Sequence, residues 1–191
     1  MPDLISESSV PLTEPSGTIT GETQPVEPTW HRLDLTVQRQ QQTQWCWAAV
    51  SVSIGDFYRK PTAGTQCTMV CSEFGRDDCC ANGGSEVCNK PWYLDKALER
   101  IGIFAGLEEV PHPNPGLPSS AAGDIEGGKP VGLRIAWDGG GGHVIALEGF
   151  RDDGAMVAVE DPWYGASEFP ANLLNRYQGT GTLTHLFHTR P

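Results

Sequence analysis

No stretch of the sequence approaches the ~20 apolar residues that a membrane-spanning helix needs, so no membrane partner is expected. Positive charge is also scarce: 13 Lys and Arg stand against 24 Asp and Glu, for a net charge of −11. Phosphate backbones and anionic surfaces demand a basic face, so the balance excludes nucleic acid as a partner. Residues 1–30 hold no Lys or Arg at all, and Asp3, Glu7, Glu14, Glu22 and Glu27 lie there. Part of the negative charge thus belongs to a tail. The opening MPDLISESSV lacks both a positive start and an apolar stretch, so no cleavable signal peptide is expected. The tail is rich in Ser, Thr, Glu and Pro and has one aromatic residue, Trp30, at its end. That composition cannot bury enough apolar surface to order a chain, and predicts a disordered tail or linker over 1–30 before a domain over 31–191. A domain of that length buries a core without help from metals or disulfides, and a monomer is expected.

Cysteine is unevenly spread. Cys67, Cys71, Cys79, Cys80 and Cys88 cluster, while Cys46 stands apart. Disulfides are the first reading of the cluster, with one cysteine left over and the pairing open. A structural zinc site is the second, since Cys67 and Cys71 have usable spacing, but adjacent Cys79 and Cys80 rarely ligate one metal together. No metal and no cofactor is expected. His185 and His188 point to opposite faces of a strand, which disfavours a shared ion, and His31 and His112 read as solvated. Disulfides imply work outside a reducing cytosol. The expected location is therefore secreted or delivered outside the producing cell, with the cytoplasm as the alternative.

The element pattern changes along the chain. HRLDLTV (31–37) alternates like a short strand, and a polar run, QRQQQTQ, follows. WCWAAVSVSIGDFYRK has helical spacing, with Cys46, Ala49, Val50, Ser53, Ile54 and Phe57 on one face and Thr43 as N-cap. A short helix is expected near 66–73, and PWYLDKALERIG predicts another, with Pro91 in its first turn and Gly102 as its stop. Residues 105–130 read as a long connection. PVGLRIAW, HVIALEGF, AMVAVEDP and TLTHLFHT read as strands, with RDDG (151–154) as a hairpin turn and PANLLNRY as a short helix. Helices first and an antiparallel sheet later predict an α+β fold, two layers facing across a cleft.

A cysteine nucleophile needs a lowered thiol pKa, a histidine to carry the proton, a group that orients the histidine, and donors for the oxyanion. Cys46 at a helix start meets the first need through the unpaired N–H groups there. His143, after four glycines and at the mouth of an apolar strand, is the candidate base. Asp161 ends the next strand, and the RDDG hairpin folds it back toward His143. The side-chain oxyanion donor should lie just upstream of Cys46. Gln40 is the candidate, with Gln38, Gln41, Gln42 and Gln44 as competitors. Against these stand plainer roles: a buried helix cysteine, a satisfied histidine, an Asp-Pro turn and a solvated glutamine run.

QQQTQWCWAAVS, GGHVIALEGF and VEDPWYG, in that order, resemble the papain-like cysteine peptidases, in particular the branch of bacterial AvrRpt2-type effectors and C39-type peptidases. The likeness spans roughly residues 35–190, in motif order more than in identity. It implies a papain-like fold, with an N-terminal helical lobe whose nucleophile helix packs on a C-terminal sheet. It also implies a Cys46–His143–Asp161 triad and selects Gln40, six residues before the cysteine, for the oxyanion hole. Trp163, two residues after Asp161, matches the tryptophan that shields the third triad member in papain. The implied activity is hydrolysis of peptide bonds in proteins or peptides through a thioester acyl-enzyme. Other acyl transfers (deamidation, transglutamination, ligation) use the same apparatus. The other readings are a catalytically silent, disulfide-stapled binding or effector domain, and self-processing of the N-terminal tail.

Overall fold

A computed structural model describes residues 27–114 and 116–191. The centre of the fold is helix α1 (Cys46–Phe57), in which every residue from Trp47 to Gly55 is buried. The expected single apolar face is thus too narrow. Ser51 and Ser53 are tolerated inside because their hydroxyls donate back to the carbonyls of Ala48 and Ala49. Around α1 lie α2 (Gln66–Phe74) and α3 (Leu94–Ile101). Trp47, Val50, Ile54, Val70, Leu94 and Leu98 form one core there, completed by Val144, Ala146 and Phe187 from the sheet. Each such side chain contributes about 1.5–3 kcal/mol by leaving water.

The sheet comprises β1 (Trp30–Arg32), β2 (Phe104–Glu109), β3 (Val131–Trp137), β4 (Gly142–Arg151), β5 (Met156–Glu160), β6 (Ser167–Pro170) and β7 (Gly181–Thr189). Its order is β2-β7-β3-β4-β5-β6, all antiparallel, and β1 extends the β3 side of β4 beyond the point where β3 ends. Leu133, Ile135, Ile145, Leu147, Val159 and Leu183 form a second core on the face away from α1, where α4 (Ser119–Glu126) adds Ala121 and Ile125. Because side chains alternate across a strand, one sheet serves both cores. The fold is α+β, with α1 packed on the antiparallel sheet.

Several local expectations change. The strand at 31–37 shrinks to β1, because Leu33 is the last residue bonded to β4, through its N–H to Glu148 O at 2.9 Å. Thr29 is already tied to Asp152 Oδ1, so the domain takes hold before residue 31. The expected tail falls, for residues 1–26, outside the described residues. Thr43 does not cap α1. Its hydroxyl accepts from Asn89, and Trp45 occupies the N-cap position without a side-chain cap bond. Helix α3 starts three residues after Pro91, at Leu94, because Trp92 Nε1 donates to Glu73 on α2 and holds the segment extended. The long connection at 105–130 contains β2 and α4; β2 is weak by composition and is fixed by pairing with β7. The expected short helix in PANLLNRY is a 3-10 turn over Ala171–Asn175.

In the cysteine cluster, Cys67 pairs with Cys80 and Cys79 with Cys88, which leaves Cys71 as the odd one. Those four sulfurs are therefore committed to S–S bonds rather than to a metal. His188 is bonded to Asp124 and Glu108 while His185 is bonded to Thr184, so the two histidines have separate partners.

Candidate active site

Cys46 is the first residue of α1 and stays partly exposed between two tryptophans that do not. Trp45 Nε1 donates to Cys88 O at 2.9 Å and Trp47 Nε1 to Lys90 O at 3.1 Å. The disulfide-bonded segment before α3 thereby grips the helix on both sides of the sulfur. Gln44 N–H donates to Asn89 Oδ1 at 2.9 Å, which fixes the approach to the helix as well. The first turn carries no acidic residue, so the unpaired N–H groups and positive dipole end face the cleft without an internal counter-charge.

His143 enters on β4. The glycine run before it makes the turn from β3, with Gly140 and Gly141 at φ 93 and 83, values that disfavour side chains. The imidazole is buried, with Nε2 2.9 Å from Asp161 Oδ1. The Cys46 side chain also acts on the ring. Burial lowers the His143 pKa, but the Asp161 hydrogen bond and the Cys46 side chain outweigh it and raise the value to about 9. The ring is flanked by Trp137, stacked at a centroid distance of 6.0 Å, and by the edge of Tyr164 at 6.3 Å.

Asp161 is 3% exposed and accepts from four groups. His143, Trp163 N–H at 2.6 Å and Tyr164 N–H at 2.9 Å share Oδ1, and Tyr177 OH reaches Oδ2 at 2.6 Å. The carboxylate thus nucleates the Asp-Pro turn and orients His143 at once. Burial works to raise its pKa, but the bonds to His143, Tyr177 and Tyr164 hold it below the ordinary carboxylate value. Tyr177 is pushed well above the ordinary phenol range, by burial first and then by the adjacent anion. It is a permanent donor, and sequence spacing gave no sign of it: it closes the segment that reads only as PANLLNRY. Trp137 and Tyr164 were likewise unmarked. Trp163 meets Asp161 through its backbone N–H and remains 43% exposed.

Of the five glutamines between Gln38 and Gln44, Gln40 is the buried one, on the cleft wall beside Cys46 and His143. Its Nε2 donates to Gln42 O at 2.7 Å, and its backbone N–H to Pro162 O at 2.9 Å. The second bond joins this segment to the Asp161 turn. Buried Gln66 clamps the same segment: its amide accepts from Gln41 N–H and donates to Arg39 O, both at 2.9 Å. Gln38 turns toward Asp56 and Gln66, Gln41 and Gln42 line a hollow beside the disulfides, and Gln44 stands exposed at the cleft rim. Two hollows of about 460 and 450 Å³ flank the Cys46–His143 pair. The first has Trp92, Tyr93 and Phe187 on its walls, and the second has Gln40, Trp137, Trp163 and Tyr164.

Residues 29–178 match the family described as papain-like cysteine protease AvrRpt2. No curated protein matches the chain. Among solved structures, a double glycine motif protease from an AMS/PCAT transporter, crystallised with its leader peptide, is 17% identical over 83% of this chain and 94% of its own, at a TM-score of 0.48. The Pseudomonas avirulence protein AvrPphB is 11% identical over 83% of this chain and 98% of its own, at a TM-score of 0.43. The family match spans well over half of the chain and includes the helix start, the glycine–histidine turn and the Asp-Pro turn. The chain belongs to the AvrRpt2 family of papain-like cysteine proteases.

Proposed function

We propose that Cys46, His143, Asp161 and Gln40 are the working parts of this peptidase, acting through a thioester acyl-enzyme. The observation that carries the reading is His143, seated between the buried carboxylate of Asp161 at 2.9 Å and the cysteine at the open start of α1. At neutral pH its raised pKa keeps the imidazole protonated. The Cys46 thiolate attacks the scissile carbonyl carbon, and the carbonyl oxygen becomes an oxyanion. The Cys46 N–H and the free N–H of the Gln40 amide receive it; Gln42 O holds that amide in place. His143 then gives its proton to the leaving amine, and the C–N bond breaks to leave the thioester. Water, deprotonated by the now neutral His143, attacks the thioester and releases the carboxylic acid and the sulfur. Trp163, through its N–H on Oδ1, holds Asp161 in orientation, and Tyr177 on Oδ2 helps to keep it ionised throughout.

The experiment is turnover of a peptide library by wild type and by Cys46→Ala. A loss of at least about 1,000-fold is expected, since only binding and oxyanion stabilisation remain. Iodoacetamide should modify Cys46 faster than Cys71, the other free thiol. Cleavage that persists in Cys46→Ala, or equal alkylation of the two, would sink the assignment. Outside the producing cell is the working compartment that fits two disulfides in a small domain.

A further inference from the structure

Arg134 sits in the middle of β3, between Leu133 and Ile135, both fully buried. A cation in a central strand needs a reason, because a half-buried charge is costly unless an opposite charge meets it. Arg32, Arg76, Arg100 and Arg151 each hold a carboxylate. Arg134 forms no ion pair among the described residues. Its Nη1 donates to Thr184 Oγ1 at 2.8 Å, and Thr184 is also bonded to the Arg134 carbonyl and to His185. That network fixes one edge of the guanidinium and leaves the rest of its five N–H donors unassigned.

The guanidinium lies on the wall of the hollow that contains Cys46 and His143. A Cβ placed on Gly142 would stand 3.3 Å from Nη2, so the fork rests against the backbone one residue before His143. Trp92, Tyr93 and Phe187 stand on the other walls; Phe187 is buried, whereas Trp92 and Tyr93 are exposed, so the hollow is open to a chain entering from solvent. Asp95 is the one carboxylate on the wall. It is not within ion-pair reach of Arg134; its nearest cation is Lys96 Nζ at 4.0 Å.

We infer that Arg134 makes this hollow a subsite for a carboxylate of the substrate, on the side of Cys46 away from Gln40. The inference rests on the cleft being the site of peptide cleavage. A planar fork with free donors matches a carboxylate in two-bond geometry. The carboxylate is supplied by an Asp or Glu side chain near the scissile bond or by the substrate's own C-terminus. The protein as a whole carries a net charge of −11. Its long-range field therefore repels acidic substrates, and a preference for them can arise only locally.

The test is a positional peptide library carrying Glu, Gln or Lys at each position, with acid or amide C-termini. Wild type should cleave the Glu peptide at least about ten-fold faster than the Gln peptide at one position, the size of a charge-assisted hydrogen bond. A preference for the acid over the amide C-terminus would instead assign the carboxylate to the chain end. Arg134→Gln should bring the ratio close to one, and Arg134→Lys, which keeps the charge without the fork, should leave an intermediate value. Should Arg134→Gln fail to fold, Arg134→Lys takes its place, and a ratio equal to that of wild type in that variant overturns the inference. The same library is also measured for binding to Cys46→Ala, which reads the subsite without turnover. Cys46-dependent cleavage with no carboxylate preference overturns this inference alone. A carboxylate preference in binding without Cys46-dependent cleavage overturns the catalytic reading and leaves the subsite standing. A preference that survives Arg134→Gln assigns it elsewhere and overturns the inference.

Discussion

At the scale of single residues, the unusual group is Asp161, whose two oxygens meet four donors. Three of them follow from chain geometry, and Tyr177 OH is the fourth and the one a point substitution removes cleanly. Tyr177→Phe leaves Oδ2 buried with one donor fewer, which should cost about 1–3 kcal/mol of stability. It also raises the Asp161 pKa, so the acid limb of the kcat/KM profile should move to higher pH. A pH profile whose acid limb is unchanged would make Tyr177 a packing residue only. On the proposed mechanism the alkaline limb reports His143: activity that needs its proton should fall as pH rises through about 9. Cys46, His143 and Asp161 were legible in the sequence because each carries a local mark: a helix start, a glycine run, an Asp-Pro turn. Tyr177 and Arg134 carry no such mark, since what gives them meaning is a partner 16 residues away in one case and the lack of a carboxylate in the other.

At the scale of elements, α1 illustrates how little of the setting of Cys46 is made by the helix itself. It has no capping side chain, and Thr43, the residue that looked like one, is occupied with Asn89. The helix start is held instead by the segment ending at Lys90, through Trp45, Trp47 and Gln44. That segment is closed by Cys79–Cys88, a loop with a sequence separation of 9, and Cys67–Cys80, with a separation of 13. Chain-entropy arguments give each bridge about 2–3 kcal/mol. Cys79→Ser/Cys88→Ser should therefore lower the Tm, and activity should fall with it, because Cys88 O anchors the Trp45 indole. The stability loss is read by thermal unfolding and the second effect by kcat/KM at a temperature where the variant is still folded. Full activity there would show that the bridge stabilises the lobe without positioning Cys46. The polar run before α1 tells the same story. Five glutamines look alike in sequence, and Gln66, 26 residues after Gln40, clamps the segment so that one of them turns inward.

At the scale of the whole molecule, the sheet carries His143 and the Asp161 turn while the helical lobe carries Cys46, so the site exists only where both cores are assembled. The charged pair links folding to pH. The His143 pKa is raised from its ordinary 6.5 to about 9, so its contribution is fully present below 6.5 and is lost as pH rises through about 9. Asp161 is held below its ordinary 3.8, so its contribution is present above 3.8 and fades as pH falls through the lowered value. The pair is most stabilising between about 3.8 and 6.5. Tm measured across pH should decline on the alkaline side, and Asp161→Asn should flatten that decline. An alkaline limb identical in Asp161→Asn and wild type would remove the pair from the stability of the fold.

The sequence by itself determined the α+β order of elements, the separation of Cys46 from the cysteine cluster, and the motif order that places the chain among papain-like peptidases. These are local properties: periodicity, turn residues and short spacings. Only the tertiary structure decided which cysteines pair, where α3 begins, which residues orient Asp161, and that a buried-strand arginine faces the cleft. Each depends on contacts between segments distant along the chain, where helix and strand propensities are overridden by packing and by the demand that buried polar groups find partners.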